Sequence, residues 1–82
     1  MQYLLFITEA VRSQLRALDK ETRRKIGFRM EALRDNLQGD VKKLEAMNNR
    51  YRLRVGNFRV LFTLDGQRIA VYAVKDRKDA YE

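Results

Sequence analysis

The sequence predicts an α+β domain in which an N-terminal strand and an αα-hairpin pack on one face of a small antiparallel sheet. Two observations predict this fold class. Apolar residues recur at helical spacing in the first half of the chain, and apolar and polar residues alternate with period two in the second half. Because the chain has 82 residues, residues 1–82 are expected to form a single domain around one core.

The segment from Gln2 to Ile7 has the composition of a strand, because its residues are mostly aromatic, leucine or β-branched. Its apolar run is five residues long and has no basic leader, which argues against a membrane span and a signal peptide. A soluble cytoplasmic protein is therefore expected. Tyr3 and Phe6 are candidates for the core.

Two helices are predicted after this strand. Thr8 is a favourable N-cap for the first helix, whose apolar residues Val11, Leu15 and Leu18 recur at i, i+4 and i+7. The join to the second helix is minimal, which favours an αα-hairpin.

Asp19 can cap the second helix, whose apolar stripe has spacings of four, three and four. The stripe consists of Ile26, Met30, Leu33 and Leu37. Gly39 suits the position after a helix end, so we expect the helix to end near residues 38–40. A connector is expected from Val41 to Asn49.

The period then changes to two, which predicts a three-stranded meander. Residues 50–55 alternate strictly, residues 58–64 and 68–74 are β-prone, and turns are predicted at Gly56-Asn57 and at Asp65-Gly66. If Gly56-Asn57 is a two-residue turn, Val55 lies opposite Phe58. One face of the meander then carries the residues for the helices to cover, which are Tyr51, Leu53, Val55, Phe58, Val60, Phe62 and Leu64.

The opposite face of the meander is predicted to be basic. It carries Arg50, Arg52, Arg54 and Arg59, with Arg54 directly opposite Arg59 and no acidic residue interleaved. A two-residue Asp65-Gly66 turn would place Tyr72 across from Arg59. These arginines either make an exposed face soluble or bind phosphates, and the one-sided charge beside a tyrosine favours phosphate and base binding.

The composition limits the chemistry and indicates the kind of partner. The chain has 18 Lys+Arg, 11 Asp+Glu, a net charge of +7, and neither His nor Cys. It therefore lacks a disulfide framework, a thiolate zinc site and the usual general base. No metal or cofactor is expected. The positive charge favours an acidic partner, with nucleic acid first, an acidic protein second and an anionic membrane surface third.

Three segments resemble the RelE branch of the RelE/ParE toxin superfamily. They are YRLRVGNFRVLF at residues 51–62, VKDRKDAY at residues 74–81 and VKKL at residues 41–44. The family's small toxins belong to type II toxin–antitoxin pairs, so the resemblance implies a cytoplasmic toxin inhibited by an antitoxin protein. It also implies the RelE fold, in which a compact sheet carries an N-terminal helix pair.

Resemblance to the RelE branch further implies a ribosome-dependent mRNA endonuclease that cuts the codon in the A site without a metal. The ribose 2′-OH would attack the adjacent phosphate. The catalytic residues implied by the resemblance are Arg59, Arg77 and Tyr81. The residues expected to bind RNA are Arg50, Arg52, Arg54, Lys42, Lys43 and Tyr72.

The resemblance leaves the general base open. The best-known RelE proteins carry lysines at the positions of Arg52 and Arg54, and an arginine cannot usefully lose its proton. Tyr81 and Asp76 are the remaining candidates, although Asp76 can equally neutralise nearby basic residues. Two other functions stay open, namely a ParE-like toxin that inhibits DNA gyrase and a non-catalytic module that binds RNA or a partner.

Overall fold

The computed structural model describes residues 2–44 and 49–76. Within these ranges it contains two helices and one five-stranded sheet. In chain order the elements are β1 (Leu4–Ile7), α1 (Glu9–Arg16), α2 (Lys20–Ala32), β2 (Asp40–Lys43), β3 (Arg50–Val55), β4 (Phe58–Asp65) and β5 (Arg68–Asp76). The predicted fold class, with a helix pair covering one face of a sheet, is confirmed.

The sheet has the strand order β1-β5-β4-β3-β2 and is mixed. Strands β2 to β5 pair antiparallel, whereas β1 pairs parallel with β5, with Leu4 opposite Arg68 and Ile7 opposite Val71. The N-terminal strand was expected to pack on one face of an antiparallel sheet, but it joins the sheet as a parallel edge strand instead. Hairpins fix the alternating directions of β2 to β5, and β1 pairs with the edge of β5 that they leave free.

Strand β2 lies in the segment predicted to be a connector. Asp40 to Lys43 pair antiparallel with β3, so that Asp40 lies opposite Arg54 and Lys42 opposite Arg52. Three of its four residues are charged, a composition with low strand propensity. Short, charged strands are typical of sheet edges, where they discourage further pairing.

Both predicted helix starts are confirmed by their caps. The Thr8 hydroxyl accepts a hydrogen bond from the Val11 N–H at 3.2 Å, and the Asp19 carboxylate accepts one from the Thr22 N–H at 3.1 Å. These bonds satisfy N–H groups that have no partner inside the helix.

The end of α2 differs from the predicted one. Helix α2 ends at Ala32 rather than near residues 38–40. Asn36 and Leu37 have φ values of 59° and 55°, a left-handed backbone that cannot continue a right-handed helix. Leu37 nevertheless packs against the core, which explains why it fits the apolar stripe.

The core lies between the helix pair and one face of the sheet. Its buried residues are Val11, Ile26, Met30 and Leu33 from the helical half, and Leu53, Val55, Val60, Phe62, Ile69, Val71 and Val74 from the strands. Tyr51 and Phe62 stack with ring centroids 5.5 Å apart. The helix-covered face predicted for β3 and β4 is therefore confirmed.

The other side of the sheet is called the open face, and it is the side that carries Arg52, Arg54 and Arg59. Leu4 and Phe6 of β1 also lie on this side and are about half exposed. The expectation that Phe6 belongs to the core was wrong, whereas Tyr3 packs against it. No helix in the described part of the chain is long and apolar enough to cross a membrane.

Candidate nucleic-acid interface

Strict alternation in β3 places three arginines on the open face. Leu53 and Val55 point into the core, so Arg50, Arg52 and Arg54 point the other way. Cross-strand pairing adds Lys42 of β2, which lies opposite Arg52. The apolar residues of β3 face the core, so the basic residues that alternate with them form a surface on the open face.

A row of three cations crosses the sheet at the end of β3. Arg54 lies directly opposite Arg59, as predicted, and Arg59 lies opposite Lys75 on β5. Residues at paired positions share a face and have Cβ atoms roughly 5 Å apart. This cationic row, Arg54-Arg59-Lys75, places positive charge from three strands at one site on the open face.

The predicted position of Tyr72 across from Arg59 was wrong. The turn falls at Gly66-Gln67, because Asp65 pairs with Arg68, and the register shifts again between Leu61 and Phe62. There Phe62 pairs with Val71 and Leu61 pairs with Ala73, so Tyr72 is the extra residue of a β-bulge.

Tyr72 instead contacts an arginine of β3. The Arg50 guanidinium carbon lies 5.2 Å from the centroid of the Tyr72 ring, which is within the range of a cation–π interaction. The bulge therefore joins an aromatic ring to the basic surface. Such a pair offers both charge for a phosphate and a flat surface for a base.

An acidic residue does lie beside the arginines, contrary to the prediction. Asp40 lies opposite Arg54 in the register, and its Oδ1 atom is 3.8 Å from Nη1 of Arg52. The Arg52 side chain is 18% exposed, and its Nη1 makes no hydrogen bond within the described residues. The sequence prediction missed Asp40 because it assigned residues 41–49 to a connector and so omitted β2.

The remaining predicted residues are not all at this surface. Lys43 lies opposite Tyr51 and therefore on the other side of the sheet from Arg52. Asp76 is exposed at the end of β5, opposite Phe58. Arg77 and Tyr81 lie outside the described residues. Lys75 was missed by the sequence prediction, although it belongs to the C-terminal motif, because the bulge at Tyr72 decides which residue faces Arg59.

The donor groups of this surface suit phosphate rather than a metal ion. Within the described ranges, no group of three or more His, Cys, Asp or Glu side chains could hold a metal ion. What the surface offers is guanidinium and ammonium donors, which bind phosphate oxygens by charge-assisted hydrogen bonds.

Comparison with protein families gives one match along almost the whole chain. The model of the family described as "ParE toxin of type II toxin-antitoxin system, parDE" matches residues 5–81. Toxin RelE3 of Methanocaldococcus jannaschii is 38% identical over 48 residues, which are 58% of this chain and 54% of RelE3. The chain therefore matches about half the length of this curated relative.

Solved structures with the same fold include two archaeal complexes. The RelB-RelE antitoxin-toxin complex of Methanococcus jannaschii has a TM-score of 0.78 at 28% identity, covering 93% of this chain and 94% of that chain. The RelE-RelB complex of Pyrococcus horikoshii OT3 has a TM-score of 0.77 at 27% identity, covering 94% and 97%. The same fold is found in a mutant of the E. coli toxin RelE in the free state, with a TM-score of 0.80 at 16% identity. This match covers 99% of this chain and 90% of that chain.

Proposed function

We propose that this chain, which belongs to the ParE toxin family of type II toxin–antitoxin systems, is a ribosome-dependent mRNA endonuclease that cuts the codon in the A site. The family lies within the RelE/ParE superfamily. The observation that carries the proposal is the cationic row Arg54-Arg59-Lys75 on the open face. The similarity to two archaeal RelE structures at 27% and 28% identity supports the RelE branch.

The proposed reaction is a transesterification within the RNA. The ribose 2′-oxygen loses its proton and attacks the adjacent phosphorus, and the bond to the 5′-oxygen of the next nucleotide breaks. The products are a 2′,3′-cyclic phosphate and a 5′-hydroxyl end, which takes up a proton. The transition state is a dianionic phosphorane, so positive charge and N–H donors at the phosphate lower its free energy.

We assign stabilisation of that charge to Arg59 and Arg77. Arg59 is in the middle of the cationic row and half-buried, which holds a guanidinium in one place better than an exposed position does. Arg50, Arg54 and Lys42 would bind neighbouring phosphates. Tyr72 would stack against a base, and Tyr81 would stack or carry a proton. Arg52 and Lys43 belong to the RNA-binding set by resemblance alone.

The proton acceptor has three candidates. Tyr81 and Asp76 come from the sequence motif, and Lys75 is added by its position opposite Arg59. Unlike a guanidinium, an ammonium group can take part in proton transfer. Lys75 could also donate a proton to the leaving 5′-oxygen.

We propose an antitoxin protein as a second partner, alongside the ribosome and its mRNA in the cytoplasm. The two archaeal structures are complexes of RelE with RelB. In this chain the open face combines exposed Leu4 and Phe6 with the arginines of β3. An antitoxin segment with apolar and acidic residues would complement both parts.

A second candidate function is inhibition of DNA gyrase. The family description names ParE toxins, and the lysines expected of RelE relatives are arginines at positions 52 and 54. A gyrase inhibitor would need no RNA chemistry. A non-catalytic RNA- or partner-binding module is the third function, and the unassigned general base is compatible with it.

The test is in vitro translation with purified protein, followed by mapping of mRNA ends. We expect cuts at A-site codons, and a loss of about 10²–10³-fold in the cutting rate for Arg59→Ala or Arg77→Ala. Arg12→Ala removes an exposed arginine of α1 and should leave the rate unchanged. Thermal unfolding checks that each variant is folded.

The alternatives give different results in the same assay set. Uncut mRNA together with inhibited gyrase supercoiling would establish the second function and overturn the first. Full cutting by both arginine variants would reject the site assignment. Uncut mRNA with active gyrase would favour a binding module.

A further inference from the structure

On the open face, Asp40 of β2 forms an ion pair with Arg52 of β3. Their closest N–O distance, 3.8 Å, is too long for a hydrogen bond but within the range of an ion pair. The Asp40 side chain is 61% exposed at the edge of the sheet, whereas that of Arg52 is 18% exposed. The arginine is therefore mostly covered, whereas the carboxylate that pairs with it is open to solvent.

Burial and pairing make Arg52 different from its neighbours in β3. Arg50 and Arg54 are exposed, but Nη1 of Arg52 is completely covered. A guanidinium that is partly covered loses some of its hydration, which a nearby counter-charge offsets. Asp40 supplies that charge, so the pair adds nothing to the net charge of the surface.

We propose that Asp40 limits the affinity of the open face for single-stranded RNA by neutralising Arg52 and keeping it from phosphate contact. The proposal rests on the proposed function only in taking RNA as the ligand of this face. RNA phosphates are then contacted by Arg50, Arg54 and Arg59, and Arg52 becomes available when Asp40 is replaced by a neutral residue. Asp40 is thus a residue that sets specificity, since weak contacts with arbitrary RNA are reduced.

Salt dependence measures this effect directly. Each phosphate contact with single-stranded nucleic acid contributes about 0.7 to the slope of log K against log salt concentration. One additional contact therefore strengthens binding about fivefold at about 0.1 M salt. A change in slope reports phosphate contacts, which a purely structural role of Asp40 would not alter.

The experiment compares binding of the full chain to a fluorescent single-stranded RNA oligomer across a salt series. For Asp40→Asn we expect about fivefold tighter binding at about 0.1 M salt and a slope steeper by about 0.7. The double variant Asp40→Asn/Arg52→Gln replaces the ion pair by two neutral amides of similar shape. It should have the slope of the unmodified protein, because the original pair is already neutral.

The matched control is Asp65→Asn, which changes net charge equally. Asp65 is exposed at the opposite end of β4 from Arg59 and pairs in register with Arg68. We expect its slope to equal that of the unmodified protein. Thermal unfolding verifies each variant, and if Asp40→Asn does not fold, Asp40→Ser takes its place.

Two results would overturn the inference. One is an Asp40→Asn slope no steeper than that of Asp65→Asn, including a case in which neither binds RNA. The other is a double variant whose slope is shallower by about 0.7, which means that Arg52 contacts phosphate in the unmodified protein. Either result leaves mRNA cutting on the ribosome to be judged separately. If the salt series gives the expected slopes but no mRNA is cut during translation, this inference is supported and the proposed nuclease is rejected.

Discussion

Arg54 of β3 and Arg59 of β4 lie directly opposite each other on the open face, although like charges at paired positions destabilise a sheet. Asp40 lies opposite Arg54 on β2 but forms its ion pair with Arg52, so the repulsion by Arg59 should dominate. We therefore expect Arg54→Gln to raise the free energy of unfolding by a few tenths to about 1 kcal/mol. The same variant should bind RNA more weakly, because it loses one phosphate contact.

Urea denaturation at low and high salt measures the effect. The gain should shrink at about 1 M salt, where the Debye length is roughly 3 Å. Arg12→Gln on α1 serves as the control for general loss of positive charge. A stability of Arg54→Gln equal to or below that of the unmodified protein at low salt would contradict the prediction.

Two glycines should respond to alanine with opposite signs. Gly27 lies inside α2 with no atom within 4 Å of an added Cβ, so Gly27→Ala should stabilise the protein by about 0.5–1 kcal/mol. Gly39 has a φ of 128°, and its added Cβ would lie 2.7 Å from Cδ1 of the fully buried Leu53. Gly39→Ala should therefore cost about 1–3 kcal/mol. Denaturation curves of the pair test both signs, and equal shifts would refute the argument.

Gln14 of α1 bonds to the backbone of β5 at Val74, beyond the residues of β5 that pair with β1. Its Oε1 accepts a hydrogen bond from the Val74 N–H at 3.1 Å. Gln14→Ala should cost about 0.5–1.5 kcal/mol and speed hydrogen exchange at the Val74 amide. Gln14→Glu keeps an acceptor oxygen and should retain the protection of that amide. Ser13→Ala, on the same helix, is the control. Unchanged exchange at Val74 in Gln14→Ala would show that the bond contributes nothing.

The cap of α2 should make stability depend on pH. Hydrogen bonds from the Thr22 side chain and backbone N–H hold the pKa of the Asp19 carboxyl below its ordinary value of 3.8. A lowered pKa means that the folded state binds this proton less readily than the unfolded state does. The contribution is therefore present above about pH 4 and is lost as pH falls through the lower, folded pKa.

Asp19→Asn keeps a capping oxygen without the charge, so it isolates this effect. Urea denaturation from about pH 6 to about pH 2 should show the advantage of the unmodified protein over Asp19→Asn disappearing at the acidic end. Glu21→Gln removes a carboxylate from the same turn and serves as the comparison. A pH-independent difference between the unmodified protein and the Asp19→Asn variant would argue against the linkage.

The register of β3 and β4 could be predicted because two local signals agree. Gly56-Asn57 fixes a two-residue turn, and strict alternation fixes which residues face the core. The partner of Arg59 could not be predicted in the same way. A bulge at Tyr72 has no glycine or other local signal, and it changes every pairing beyond it.

Other differences arise where tertiary contacts override local preference. Asp40 to Lys43 form a strand because the outer edge of β3 offers backbone hydrogen bonds. Their side chains have a low propensity for strands. Five consecutive apolar residues near the N-terminus do not indicate which alternate set faces inward, so Phe6 could not be separated from Leu5. The positions of Asp40 and Lys75 at the site therefore depend on pairing between strands, which the sequence alone does not specify.

The parallel pair of β1 and β5 also affects the order in which the molecule can fold. Strands β2 to β5 each pair with a neighbour in sequence, whereas β1 must wait for β5, at the other end of the described chain. Long-range pairing carries a larger loop-closure entropy and forms late. During synthesis, the hairpin of β3 and β4 can assemble its arginines before the N-terminal strand has an edge to join. The arginines of β3 and β4 are thus in place before β5 adds Lys75 and Tyr72 to the proposed RNA-binding surface and before β1 completes the sheet.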